Sequence, residues 1–122
     1  CCRRENYQIP SKDFEQFITD PFGYKPPKDG ESIQQMIDRC GAFYEDLIHN
    51  PDYQNKTILI AAHGCSTRAF LYYIDGRKDD FWRGHVPPNC AVTIIDVKDG
   101  EATIEEQDKV YYDPEDVVDF YK

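Results

Sequence analysis

The sequence predicts an α/β fold that ends in a β-hairpin. Three observations carry this expectation. An apolar run, Thr57 to Ala62, reads as a buried strand and breaks at His63-Gly64 directly into a helical pattern. A long amphipathic helix precedes it, and a strand–turn–strand pattern follows it over Cys90 to Val97 and Ala102 to Gln107. Apolar runs of this length bounded by turn residues suit strands covered on both faces, and helices alternating with strands suit an α/β sheet.

Taken in order, Pro10-Ser11 opens a short helix with Ser11 as its cap, Phe14, Phe17 and Ile18 on one face, and Asp20-Pro21 as its stop. Residues 21–30 hold Pro21, Gly23, Pro26, Pro27 and Gly30, which predicts a stiff loop pinned by Phe22 and Tyr24. Ser32-Ile33-Gln34-Gln35 is a capping box, with the serine at the N-cap and the glutamine three positions on. Behind it Ile33, Met36, Ile37, Cys40, Phe43, Tyr44, Leu47 and Ile48 recur at helical steps until Asn50-Pro51. The strand 57–62 carries no charge, so it is expected in the middle of a sheet rather than at its edge. A second helix is expected from about Ser66 to Ile74, burying Ala69, Phe70, Tyr73 and Ile74 and stopping at Asp75-Gly76. A loop with Trp82, Arg83 and His85 leads to the hairpin, which turns at Lys98-Asp99-Gly100. From Pro114 a short helix is expected through Val117, Val118 and Tyr121. No repeat, low-complexity tract or linker divides the chain, so residues 1–122 are expected to form a single domain.

Composition narrows the function classes. With 23 acidic against 14 basic side chains the formal net charge is −9, which argues against nucleic acid or an anionic membrane as partner. An anionic substrate would need a locally positive pocket. No apolar run approaches the roughly 18 residues of a membrane span, and no signal-peptide pattern is present. The five cysteines (Cys1, Cys2, Cys40, Cys65, Cys90) form an odd set without metal-ligand spacing, and neighbours such as Cys1 and Cys2 make strained disulfides. Free thiols in a reducing cytoplasm are expected. A first residue that is Cys1 rather than Met gives the expectation of a chain that begins internally or is processed.

The His63-Gly64 junction carries the chemistry. A histidine at a strand end is by pattern alone compatible with a hydrogen-bonded structural role. Here a glycine follows, permitting close backbone approach, and a helix starts at once, so free amides favourable to anions face that space. Arg68 lies in or near its first turn and could hold a carboxylate or phosphate. His63 therefore reads as a phosphate-handling residue. Cys65-x-x-Arg68 raises a phosphatase-like cysteine nucleophile, but two intervening residues are too few for a loop that wraps a phosphate. His49, His63 and His85 lack zinc-ligand spacing, so no metal is expected. Glu31 suits the positive end of the long helix better than acid catalysis. Arg77, Lys78, Arg83 and His85 either line an anion entrance or form a solvated loop.

Taken together and in order, these residues resemble the histidine phosphatase superfamily in its phosphoglycerate-mutase-like branch. The matching elements are Gly30-Glu31-Ser32 before the amphipathic helix, Ile58 to Gly64 ending in His-Gly, Arg68, and Val86-Pro87-Pro88-Asn89-Cys90-Ala91-Val92 before the hairpin, over about residues 30–110. The resemblance implies a three-layer α/β/α arrangement with a mostly parallel sheet and a C-terminal β-hairpin, of which this chain holds an incomplete set. It implies hydrolysis of a small phosphate ester through a phosphohistidine, without cofactor. His63 would be the catalytic histidine that stabilises the transferring phosphoryl group, and the amides of Gly64 and Cys65 would bind substrate.

One departure matters. The family's nucleophile lies in an Arg-His-Gly motif, and the histidines here are His49, His63 and His85, none of them in that motif. The expectation is a C-terminal part of the domain that supplies the second half of the active site and is inactive alone. Glu5 is the one nearby candidate for a general acid within the chain, and Arg3 and Arg4 for substrate contact. The competing readings are a phosphate-binding or regulatory module without a nucleophile, and a plain interaction module with a structural His63. Mutase chemistry is a sub-case of the first reading, and association into a homo-oligomer is left open.

Overall fold

A computed structural model describes residues 11–76 and 80–116, with side chains described from Glu15 onward. Its elements are α1 (Ser11–Thr19), α2 (Ile33–His49), a 3-10 turn (Pro51–Tyr53), α3 (Gly64–Asp75), β1 (Val92–Lys98), β2 (Glu101–Lys109) and a second 3-10 turn (Pro114–Asp116). Arg3, Arg4, Glu5, Cys1, Cys2, Arg77, Lys78, Val117, Val118, Tyr121 and the side chain of Phe14 lie outside the described residues.

The capping box of α2 forms as expected. The Ser32 hydroxyl accepts the Gln35 amide at 3.2 Å, and the Gln35 side chain accepts the Ser32 amide at 2.8 Å. Two of the helix's orphan N–H groups are thereby satisfied, so the helix starts at a defined place. At the other end of α3, Gly76 takes the left-handed conformation (φ 63°) and its amide reaches back to the Tyr72 carbonyl. That closure needs a residue without a Cβ penalty, which is why Asp75-Gly76 ends the helix.

The core lies where α2, α3 and the loop after α3 meet. Ile33, Ile37 and Cys40 from α2 pack with Ala69 from α3 and with Phe81 and Trp82 from the loop. α1 joins through Phe17, whose ring meets Trp82 edge-on at 5.3 Å and whose carbonyl accepts the indole N–H at 3.2 Å. Gly41 allows α2 and α3 to approach closely: a Cβ there would fall 2.3 Å from the Tyr73 ring.

The buried face of α3 differs from the expected one. Arg68, Ala69 and Leu71 are the buried residues, with Cys65 and Tyr72 partly buried, while Tyr73 is exposed. Apolar spacing placed Tyr73 inside because it counts only apolar side chains and assigns no inner position to an arginine. The arginine has a buried partner and takes the inner position instead.

The hairpin is tight. Lys98 pairs with Glu101, leaving Asp99 and Gly100 as a two-residue loop, both at positive φ (52° and 81°). Aspartate followed by glycine tolerates that geometry, and the resulting turn matches the twist of the strands. β1 and β2 are antiparallel and form the one sheet found among the described residues. The run 57–62, expected as a strand, belongs to no strand. Its residues are exposed, Leu59 to 93% and Ile58 and Ile60 to 42% each. A strand exists through hydrogen bonds to a neighbour, and among the described residues nothing lies alongside to make them. The structure therefore shows mixed helix and sheet. Among the described residues, no helix is long and apolar enough to cross a membrane.

Candidate functional site

His63 is the N-cap of α3. Its backbone is extended (φ −88°, ψ 162°), its side chain makes no capping bond, and it is exposed. The first intrahelical hydrogen bond runs from the Thr67 amide to the His63 carbonyl at 2.9 Å, and the Thr67 hydroxyl donates to the same oxygen at 3.1 Å. The amides of Gly64, Cys65 and Ser66 precede that bond and have no intrahelical acceptor. Together with the helix dipole they give this end a partial positive charge beside the imidazole. Such an end favours a phosphate or carboxylate.

Gly64 is pressed against the segment following His85. A Cβ on it would come within 3.3 Å of Pro87 Cδ and 3.8 Å of Val86 Cγ1. The glycine thus lets the Val86-Pro87 strap lie across the start of α3, a packing reason that the sequence did not disclose. Cys65, one residue on, is partly buried, and burial pushes its thiol up to about 12. Burial thus disfavours the thiolate and argues against Cys65 as a nucleophile.

Arg68 is fully buried and has a specific partner. Its Nη1 donates to Asp108 Oδ1 at 3.1 Å and its Nη2 to Asp108 Oδ2 at 2.7 Å and to the His85 carbonyl at 2.9 Å. The expected anion-holding arginine does hold a carboxylate, but one belonging to the chain, so its charge is already matched. Asp108 Oδ2 also meets His85 Nε2 at 3.2 Å and Gln107 Nε2 at 3.3 Å. Sequence reasoning missed Asp108 altogether: it lies forty positions from Arg68 in a strand whose pattern marks it as one more polar residue.

The remaining candidates separate from His63. Glu31 pairs with Arg39 through both carboxylate oxygens, and that hydrogen-bonded guanidinium lowers its pKa below the usual carboxylate value. Arg83, expected at an anion entrance or in a solvated loop, does neither: it donates to the Leu71 carbonyl at 3.2 Å and to Gln107 at 3.2 Å, and it pairs with Asp75. His49 Nδ1 lies 2.9 Å from the Glu45 carbonyl. Among the described residues no cluster of His, Cys, Asp and Glu is placed to hold a metal ion, and Cys40, Cys65 and Cys90 are free thiols.

Comparison with known proteins places the chain in a family. A 2,3-bisphosphoglycerate-dependent phosphoglycerate mutase of Neisseria meningitidis serogroup A is 34% identical over 77 residues, covering 63% of this chain and 34% of that enzyme. The 2,3-bisphosphoglycerate-dependent phosphoglycerate mutase 1 of Arabidopsis thaliana is 38% identical over 50 residues, 41% of this chain and 15% of its own length. The corresponding Enterococcus faecalis enzyme is 39% identical over 51 residues, 42% of this chain and 22% of its own length. The matched region thus spans about a third of the Neisseria protein and less of the other two. No solved structure matches the chain. The family model of the histidine phosphatase superfamily (branch 1) matches residues 3–109, from before α1 to the end of β2, and the chain belongs to that superfamily.

Proposed function

We propose that this chain is the C-terminal part of a histidine phosphatase domain and supplies the second half of a site that hydrolyses a small phosphate ester through a phosphohistidine. The observation that carries the reading is His63 itself: an exposed imidazole at the N-cap of α3, beside amides without intrahelical acceptors, in a chain of this superfamily. In this reading His63 hydrogen-bonds the transferring phosphoryl group and stabilises the charge that builds in the transition state. The Gly64 and Cys65 amides bind the substrate's phosphate oxygens. The nucleophile is a histidine in an Arg-His-Gly motif outside these 122 residues.

The electrostatics favour a divided site. The chain carries a net charge of −9, and Arg68, the nearest cation in sequence, is neutralised by Asp108. The helix end and one imidazole are weak attractors for a dianion, so full affinity and turnover need the cations of the other half. The 122-residue chain alone is accordingly inactive, and its partner is a small phosphorylated molecule. The exposed run Ile58-Leu59-Ile60 has the composition of a central strand, which fits a mostly parallel sheet in a three-layer α/β/α domain once neighbouring strands are present. The free thiols accord with a reducing cytoplasm. Hydrolysis is favoured over the mutase reaction of the named relatives by the short loop from Phe22 to Gly30, which leaves little chain to enclose a substrate.

A second reading rests on the absence of Arg-His-Gly from the sequence: a phosphate-binding module without a nucleophile. Activity separates the two. The longer polypeptide carrying an Arg-His-Gly should release inorganic phosphate from p-nitrophenyl phosphate, and this chain should not. If the longer product is inert while this chain binds phosphate, the second reading stands in place of the first.

A further inference from the structure

Asp108 occupies an unusual place for a charged residue. Val92 faces Lys109 and Ile94 faces Glu106, two steps along β1 against three along β2, so β2 bulges at this point. Asp108 sits in that bulge at φ 56°, a left-handed conformation that costs a non-glycine residue free energy. Its amide donates to the Thr93 hydroxyl at 3.3 Å, which helps to hold the bulge. Bulges re-aim side chains, and this one turns the Asp108 carboxylate onto the buried guanidinium of Arg68.

Arg68 does more than neutralise that carboxylate. The same Nη2 that meets Asp108 holds the His85 carbonyl, the start of the strap that runs over Gly64. His63 precedes Gly64, and its carbonyl is gripped by Thr67, the residue before Arg68. An unbroken chain of contacts thus leads from the bulge to the helix end that carries the imidazole.

We propose that Asp108 is a positioning residue for His63: by fixing Arg68 and, through it, the His85–Pro87 strap, it sets where the His63 end of α3 lies. The proposal rests on the reading of His63 as the phosphoryl-handling residue, but its first test does not. Amide hydrogen exchange on this chain reads the position directly. Asp108→Asn keeps a side chain that tolerates the left-handed conformation and removes the charge-assisted bonds. It should speed exchange of the Thr67 amide by about tenfold or more beyond the change at Ile37 and Cys40 in α2, whose exchange follows the global loss of stability. Uniform acceleration of all three, or none at Thr67, overturns the proposal. If Asp108→Asn does not fold, Thr93→Val removes only the hydroxyl that holds the Asp108 amide; Thr67 should then loosen by a smaller factor, and an unchanged Thr67 overturns the proposal.

Titration with inorganic phosphate, followed by the His63 ring and Gly64 amide signals, provides the second arm. Removing a carboxylate near an anion site should strengthen binding if charge alone matters. Positioning requires the opposite, a weakening of about threefold or more in Asp108→Asn. Tighter or unchanged binding overturns the proposal. A wild-type chain silent to phosphate, with Thr67 nevertheless loosened by the substitution, supports the positioning of His63; its reading as a phosphate site then fails if His63→Ala leaves turnover intact in a polypeptide that also carries an Arg-His-Gly.

Discussion

Replacing Arg68 by methionine tests the packing of the site's foundation. The guanidinium is 0% exposed and its partner Asp108 is 8% exposed, so neither charge has water to fall back on. Arg68→Met keeps the volume and removes three donated bonds, two to Asp108 and one to the His85 carbonyl. Asp108 is then a buried carboxylate with only Gln107 and His85 nearby. Breaking one side of such a pair costs about 3–5 kcal/mol. For a chain of 122 residues, an unfolding entropy of about 2.1 cal/mol/K per residue makes 1 kcal/mol worth about 4 °C, so Tm should fall by about 12–20 °C. One feature works against the pair: Arg68 Nε is buried with no partner among the described residues, which lowers the net worth of the native arrangement. That penalty is also relieved by methionine, so the lower half of the range is expected. The double variant Arg68→Met/Asp108→Asn, which buries no charge, should recover much of the loss. Thermal unfolding followed by circular dichroism measures both. A single-variant loss below about 1 kcal/mol, or a double variant no better than the single, would refute the claim that this ion pair is desolvated and structural.

Three further outcomes follow from other contacts. The Cys65 thiol, pushed up to about 12 by burial, should react with a disulfide reagent at pH 8 far more slowly than exposed Cys90, by a factor on the order of a thousand; comparable rates would show that Cys65 is accessible. Gly41→Ala gains about 1 kcal/mol of helix propensity but drives a methyl against the Tyr73 ring, whose hydroxyl is tied to Glu45 at 2.9 Å, so stability should fall by about 1–2 kcal/mol. In a Tyr73→Ala background the same change should stabilise, and chemical denaturation distinguishes these signs. The Glu31 carboxyl, held below its usual range by the Arg39 hydrogen bond, contributes stability at neutral pH that disappears as pH falls through its lowered pKa. Arg39 is exposed and Glu31 half-buried, and solvent screening keeps the contribution under about 1 kcal/mol; Arg39→Ala should move the Glu31 midpoint upward in a carbon-detected NMR titration, and an unmoved midpoint contradicts the pairing.

What was legible in the sequence followed from short-range chemistry. Ser32 and Gln35, Asp75-Gly76 and Asp99-Gly100 each specify a local backbone geometry, and each forms as expected. Helix α3 begins two residues earlier than expected, at Gly64, which brings His63 to the N-cap. The illegible parts depend on distant partners. Nothing near Arg68 in sequence announces Asp108, so the inward turn of an arginine on α3 was invisible to apolar periodicity. The run 57–62 has the composition of a covered strand, yet composition states a demand for neighbours and cannot supply them. Gly64 was expected to admit a ligand; what the structure shows beside it is the close approach of Pro87.

The central claim is that His63 stabilises a transferring phosphoryl group. Its most direct test is the kcat/KM of p-nitrophenyl phosphate hydrolysis by a polypeptide that joins this chain to an Arg-His-Gly segment of the superfamily, with and without His63→Ala. His63 is exposed and caps nothing with its side chain, so the substitution should leave the melting temperature nearly unchanged. Loss of the His63 imidazole should lower kcat/KM about a thousandfold at that unchanged stability. Turnover within tenfold of the parent would contradict it.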